Sequence, residues 1–191
     1  MFGANMLGRL VPGTGRVTVA RATESPLHPY DVQIDSKGNP WYALNRTNKL
    51  ARVDPETMAV RTFSLPAPNA RPRRMVITTD DIIWYADHAR GYIGRFDPAT
   101  EEVKEWRSPG GEWSRPYGLT AVGGAIWYSE SWMDPSNLVR FDTATETFQS
   151  WPVPDCFDGA YYMVHDSASN LWFTCHETDR LVRVEITGAQ P

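Results

Sequence analysis

Short runs of four to six residues in which apolar and polar side chains alternate recur along the whole chain, and Gly, Pro, Asn or Asp interrupts them every few positions. Alternation with period two places every second side chain on one face, which is the signature of a half-buried strand. Residues 59–63, 102–106 and 147–151 are clear examples, and no 3.6-residue period competes anywhere. The pattern predicts an all-β protein.

The strands come in a fixed order. Segments beginning at Pro29, Pro72, Pro116 and Ala160 each run through an apolar stretch (strand A), a small turn such as residues 35–39 or 122–124, and a Trp-aromatic pair. The pairs are Trp41-Tyr42, Trp84-Tyr85, Trp127-Tyr128 and Trp172-Phe173, on strand B, and the Trp residues are spaced by 43, 43 and 45 positions. Strand C follows at residues 49–53, 92–96, 138–141 and 181–184, and each carries an Arg on the same beat: Arg52, Arg95, Arg140 and Arg183, with Arg9 one unit earlier. Asp54-Pro55, Asp97-Pro98 and Asp142-Thr143 open the C-to-D turns, where an Asp side chain caps the backbone. A four-stranded unit of this size cannot bury both faces of its sheet alone, so neighbouring units stack and the Trp positions fill the space between them. The expected fold is a β-propeller of four-stranded blades, a single domain over residues 1–191 with blades at 29–66, 72–109, 116–152 and 160–186. Residues 7–20 match strands C and D without A and B, and the last unit shows A, B and C, so the chain holds four to four and a half units. Two arrangements follow: a small ring in which residues 16–20 supply the missing last strand, or an open arc of a larger propeller with exposed edges that tend to associate.

Composition narrows the partners. The formal charge is −4 and no basic run exceeds Arg73-Arg74, so nucleic acid is not an expected ligand. No stretch of 18 apolar residues exists, and the start lacks the charged and apolar regions of a signal peptide. The chain therefore reads as soluble with no membrane partner: cytoplasmic as given, extracytoplasmic if the amino terminus is truncated. Cys156 and Cys175 lack the spacing of zinc or redox motifs; pairing is left open, and two unlinked thiols are the preferred reading.

Strand order also sorts the residues by face. Strand A crosses the blade and B returns, so the start of A and the end of B lie together. That end carries Tyr30, Arg73, Arg74, Tyr117 and Tyr161 from the starts of A, and Asn45, Asp87, His88, Glu130, Cys175, His176 and Glu177 from the ends of B. Aromatic walls with a few ionisable groups make a mouth for a small-molecule or peptide-like ligand, with Tyr30, Arg73, Tyr117 and Tyr161 as the holding residues. Asp87, Glu130 and Glu177 are the oxygen ligands available for Mg²⁺ or Ca²⁺, while Glu130 and His176 are the catalytic candidates, the imidazole as a general base. Plainer roles compete: Asp87 and Glu130 pairing with Arg73 or Arg46, His88 and His176 as exposed loop residues, and His165 as a packed core residue.

The unit PYGLT (116–120), IWYSE (126–130) and NLVRFD (137–142) resembles the streptogramin B lyase (virginiamycin B lyase) group of β-propellers, and the similarity runs from Leu7 to Val184. The resemblance implies a Mg²⁺-dependent carbon–oxygen lyase of antibiotic resistance, which opens a cyclic depsipeptide at its ester bond by elimination, with a His as base and a Glu nearby. In that group the His looks like the residue after Pro at the start of strand A, and the Glu like the last residue of Trp-aromatic-x-Glu. The first position is Tyr30, Arg73, Tyr117 and Tyr161 here; the second is Leu44, Asp87, Glu130 and Cys175. A metal-binding Glu two residues before the His would fall at His28, Arg71, Arg115 and Gly159. Glu130 thus matches, Asp87 matches in kind, and His176 or a Tyr would have to act as base. The alternative function is a non-catalytic module that binds a polar ligand or partner protein at the same mouth.

Overall fold

The structure, a computed structural model, describes residues 6–21 and 28–186. Residues 1–5, part of the start read for a leader, and 187–191, the end of the last unit, lie outside them. Seventeen strands among the described residues form five antiparallel sheets. A hairpin of β1 (Met6–Val11) and β2 (Arg16–Arg21) is followed by three four-stranded blades. Blade one is β3 (Pro29–Ile34), β4 (Pro40–Leu44), β5 (Lys49–Val53) and β6 (Val60–Ser64). Blade two is β7 (Pro72–Ile77), β8 (Ile83–Asp87), β9 (Tyr92–Phe96) and β10 (Val103–Arg107). Blade three is β11 (Pro116–Val122), β12 (Ala125–Glu130), β13 (Asn137–Asp142) and β14 (Thr147–Pro152). Blade four has three strands among the described residues, β15 (Ala160–His165), β16 (Leu171–Cys175) and β17 (Arg180–Val184).

The two markers of the repeat are halves of one contact. Trp41 stands opposite Arg52, Trp84 opposite Arg95, Trp127 opposite Arg140 and Trp172 opposite Arg183 on the paired B and C strands. The guanidinium of Arg52 lies 5.8 Å from the Trp41 ring, and that of Arg183 lies 5.7 Å from the Trp172 ring. Trp41 packs with Phe63, Met75, Ile83 and Phe96 between blades one and two. Trp84 and Trp127 do the same between blades two and three and between three and four. Apolar burial between sheets, at ~25 cal/mol per Å², is what holds the stack together.

The hairpin packs against the far flank of blade one through Leu7, Ala20 and Val53, so the units run in order as an open arc. Among the described residues β2 pairs only with β1 and β17 only with β16, so the small closed ring is not formed. Val32 and Ile34 on one end of the arc, and Tyr162, Val164 and Leu181 on the other, are exposed because no blade covers those faces. His165 is also exposed rather than core: it ends β15 beyond the packed layer, with Nδ1 3.0 Å from Thr120 Oγ1. No helix of the described residues is long and apolar enough to cross a membrane.

The two cysteines are joined. A disulfide links Cys156, in the loop before blade four, to Cys175 at the end of β16, which corrects the expectation of separate thiols. Sequence spacing alone carries no information on this pairing, because the loop returns to β16 only in the folded blade.

Candidate ligand-binding mouth

At the start of every strand A the ladder slips. The register shifts between Pro29 and Asp31, Pro72 and Met75, Pro116 and Leu119, and Ala160 and Met163. A β-bulge re-aims the extra residues out of the sheet. The residues so displaced are Tyr30, Arg73 and Arg74, Tyr117 and Gly118, and Tyr161 and Tyr162, and the first of each set reaches one mouth from all four blades. Gly118 lets β11 come close to β15, since a Cβ there would lie 2.6 Å from the Ala160 carbonyl oxygen.

The displaced rings meet. Tyr30 and Tyr117 share a hydroxyl–hydroxyl hydrogen bond, with ring centroids 6.4 Å apart and edge to face. Tyr117 and Tyr161 centroids are 4.8 Å apart, and Tyr161 in turn stacks on His176 at 4.8 Å and 23°. The result is one aromatic run, Tyr30–Tyr117–Tyr161–His176, crossing the mouth. Arg73 lies over the first two rings, at 5.5 Å and 5.3 Å. Tyr117 is only 3% exposed, so it forms the floor rather than the contact surface expected of it. Burial, then the Tyr30 hydroxyl, hold its phenol far above the ordinary range. The hydrogen bond from Tyr161 to Asp158 Oδ2, 2.5 Å, pushes the Tyr161 phenol up to about 12, so these hydroxyls stay protonated at neutral pH.

Arg74, 7% exposed, ties the blades beneath this run. Its Nη1 lies 3.4 Å from Asp31, its Nε donates to the Tyr161 carbonyl at 3.1 Å, and Asp31 also accepts from the Met75 amide.

Two carboxylates expected to ligate metal or act in catalysis are closed. Glu130 is fully buried; Ser108 Oγ and the Gly110 amide donate to Oε1 at 2.5 Å and 2.6 Å, and Asn137 Nδ2 donates to Oε2 at 2.9 Å. Asp87 is fully buried as well. It accepts from the Arg71 and Ala89 amides and from Arg90 Nε at 2.6 Å, so its partner is Arg90, not Arg73 or Arg46. With their lone pairs committed to protein donors, neither fits Mg²⁺, a hard ion that needs open oxygen ligands. Glu130 likewise has no access to substrate and is a structural acceptor.

Glu177 is the exception. Its carboxylate is exposed, and its Oε1 lies 3.4 Å from His176 Nδ1. Together with Asp158 these residues bring one ligand atom each within 4.8 Å of one another. The disulfide explains the meeting, because Asp158 follows Cys156 by two residues and His176 directly follows Cys175. Asp158 was not legible in the repeat, having no counterpart in other blades, and it joins the group only through the folded Cys156–Cys175 link. The donor set fits a divalent cation with Asp158 and Glu177 as its oxygen ligands.

His88 is not a loop histidine in solvent. It is 9% exposed, Nε2 lies 3.2 Å from Arg73 Nη1, and its ring meets the edges of Tyr117 and Trp132. Burial, then the charges of Arg73 and Arg115, push its pKa down to about 3, so it is neutral.

The sequence model of the virginiamycin B lyase family matches residues 2–190. The chain belongs to that family. Among solved structures it is similar to a streptogramin B lyase (TM-score 0.82, 19% identity, 97% of this chain and 63% of that one). It is also similar to a catalytically inactive virginiamycin B lyase variant from Staphylococcus aureus bound to quinupristin (0.83, 19%, 98% and 65%). A putative 6-phosphogluconolactonase from Bacteroides fragilis NCTC 9343 follows the same fold (0.73, 12%, 96% and 61%). The chain spans 63–65% of the length of the two lyases, and identities of this size show the fold alone. No curated protein matches it by sequence.

Proposed function

We propose that this mouth is the ligand-holding face of a virginiamycin B lyase-type propeller, and that it takes a cyclic depsipeptide of the streptogramin B kind. The observation that carries the reading is the continuous ring run Tyr30–Tyr117–Tyr161–His176 under Arg73. Flat aromatic faces suit the rings of such a ligand, and the guanidinium suits its carbonyls. Tyr30, Arg73 and Tyr161 touch the ligand, with Tyr117 beneath them.

A second reading, ring opening, rests on His176, the exposed imidazole at the end of the run beside Glu177. His176 takes a proton from the carbon next to the one bearing the ester oxygen; the C–H electrons form the C=C bond and the C–O electrons leave with the carboxylate. Asp158 and Glu177 would hold Mg²⁺, which when bound polarises the ester carbonyl.

One experiment serves both. A streptogramin B depsipeptide is titrated into the protein with and without Mg²⁺, following affinity calorimetrically and ring opening by mass spectrometry. Binding weakened at least tenfold by Arg73→Ala, ~1.4 kcal/mol, is the expected result; affinity untouched by that change overturns the first reading. Binding without Mg²⁺-dependent, His176-dependent opening overturns the second.

A further inference from the structure

Two guanidiniums at this mouth have no counter-charge among the described residues. Among the described residues no carboxylate lies within ion-pair distance of Arg73 or Arg115, while Asp31 is taken by Arg74, Asp87 by Arg90, and Glu130 by Ser108, Gly110 and Asn137. The Nε atoms of both arginines are buried without a hydrogen-bond partner. Leaving such a donor unmet costs ~1–3 kcal/mol. What the arginines do contact is aromatic or neutral: Arg73 meets His88 Nε2, and Arg115 Nη1 donates to the carbonyls of His88 and Ala89. Arg115 also lies 4.7 Å from the ring of Trp132, which is 57% exposed.

His88 therefore stands between two fixed positive charges, with Arg73 Nη1 3.2 Å from its Nε2 and Arg115 Nη1 on its carbonyl. Beside it opens a hollow of about 400 Å³ lined by Ser131, Trp132, Met133, Asp134, Phe157 and Asp158. Trp132 is shared between the hollow and the Arg115–His88 group. With positive charge beside this indole, and Asp134 and Asp158 in the hollow next to it, the arrangement suits a ligand whose anionic end sits at the arginines and whose uncharged flat body lies toward Trp132 and Phe157.

We propose that Arg73 and Arg115, arranged around His88 and Trp132, form a recognition site for an aromatic carboxylate. The carboxylate neutralises the two guanidiniums, and the ring packs on Trp132. The inference rests on the mouth being a ligand-binding face and adds the class of group that the face selects.

The probes are benzoate, its neutral isostere benzamide, and inorganic phosphate, followed by tryptophan emission with Trp132→Phe as the signal control. Saturable quenching by benzoate, lost in Trp132→Phe and shifted at least tenfold to higher concentration in Arg73→Met and in Arg115→Met, is the expected result. Benzamide acting at the same concentrations, or no saturation with benzoate, overturns the proposal. Phosphate binding as tightly as benzoate overturns the aromatic half of it. These wild-type comparisons hold even where an arginine variant fails to fold. Benzoate binding without depsipeptide binding overturns only the ligand proposed above; depsipeptide binding without benzoate binding overturns only this inference.

Discussion

Blades three and four end their B strands in opposite ways. Glu130 closes β12 as a buried acceptor of three protein donors, whereas Cys175, at the same repeat position on β16, closes the blade with a covalent bond to Cys156. Blade two resembles blade three through Asp87, and in blades two and four the histidine that follows the strand shares the fate of its terminus. His88 after Asp87 is buried and neutral, while His176 after Cys175 stands in solvent beside Glu177. Where a carboxylate must hold the loops, it is consumed by structure. Where a disulfide holds them, the neighbouring ionisable groups are free for chemistry.

The widest separation between the two ends comes from truncating the acids. Glu130→Ala leaves the Ser108, Gly110 and Asn137 donors unmet in the interior and is expected to cost about 3–5 kcal/mol, which lowers the thermal midpoint by roughly 10 °C. Glu177→Gln, on an exposed carboxylate, is expected to stay within about 0.5 kcal/mol. Equal effects in calorimetric melting of the two variants would erase the comparison.

Next in size is the disulfide itself. Cys156→Ser with Cys175→Ser opens a loop of 19 residues and is expected to cost about 3 kcal/mol in urea unfolding. It also frees Asp158 from His176 and Glu177, so any Mg²⁺ affinity measured by calorimetry falls with it. Mg²⁺ affinity unchanged in the double variant would show that the link does not position these ligands.

The smallest effect is a pH slope. His88 titrates at about 3 in the folded chain against an ordinary 6.5, so on acidification the unfolded chain takes up the proton first. The stability from the neutral imidazole is full above pH 6.5 and is lost as pH falls from 6.5 toward 3, by at most about 1.4 kcal/mol per unit. Between pH 7.5 and 5, urea midpoints of His88→Gln should fall less than those of the parent; parallel curves would remove His88 from the closed side of the comparison.

Much of the fold was readable from one dimension. The Trp and Arg series announced the blades because each pair is a cross-strand contact that every unit must repeat to bury its sheet. Strand order also assigned Tyr30, Arg73, Tyr117 and Tyr161 to one end, since antiparallel neighbours return to where they began. Which of those groups is accessible was not readable. Glu130 and Glu177 are both acids near the end of a B strand, and only the loops over them separate a sealed acceptor from an open ligand.

By itself, then, the sequence determined the period, the strand order and the face on which the variable residues gather, because these follow from local alternation and from contacts between adjacent strands. Tertiary structure alone decided the Cys156–Cys175 link, the meeting of Asp158 with His176 and Glu177, and the uncompensated charges of Arg73 and Arg115. Those depend on loops outside the repeat and on contacts between blades, where burial and the exhaustion of hydrogen-bond partners are set by residues far apart along the chain.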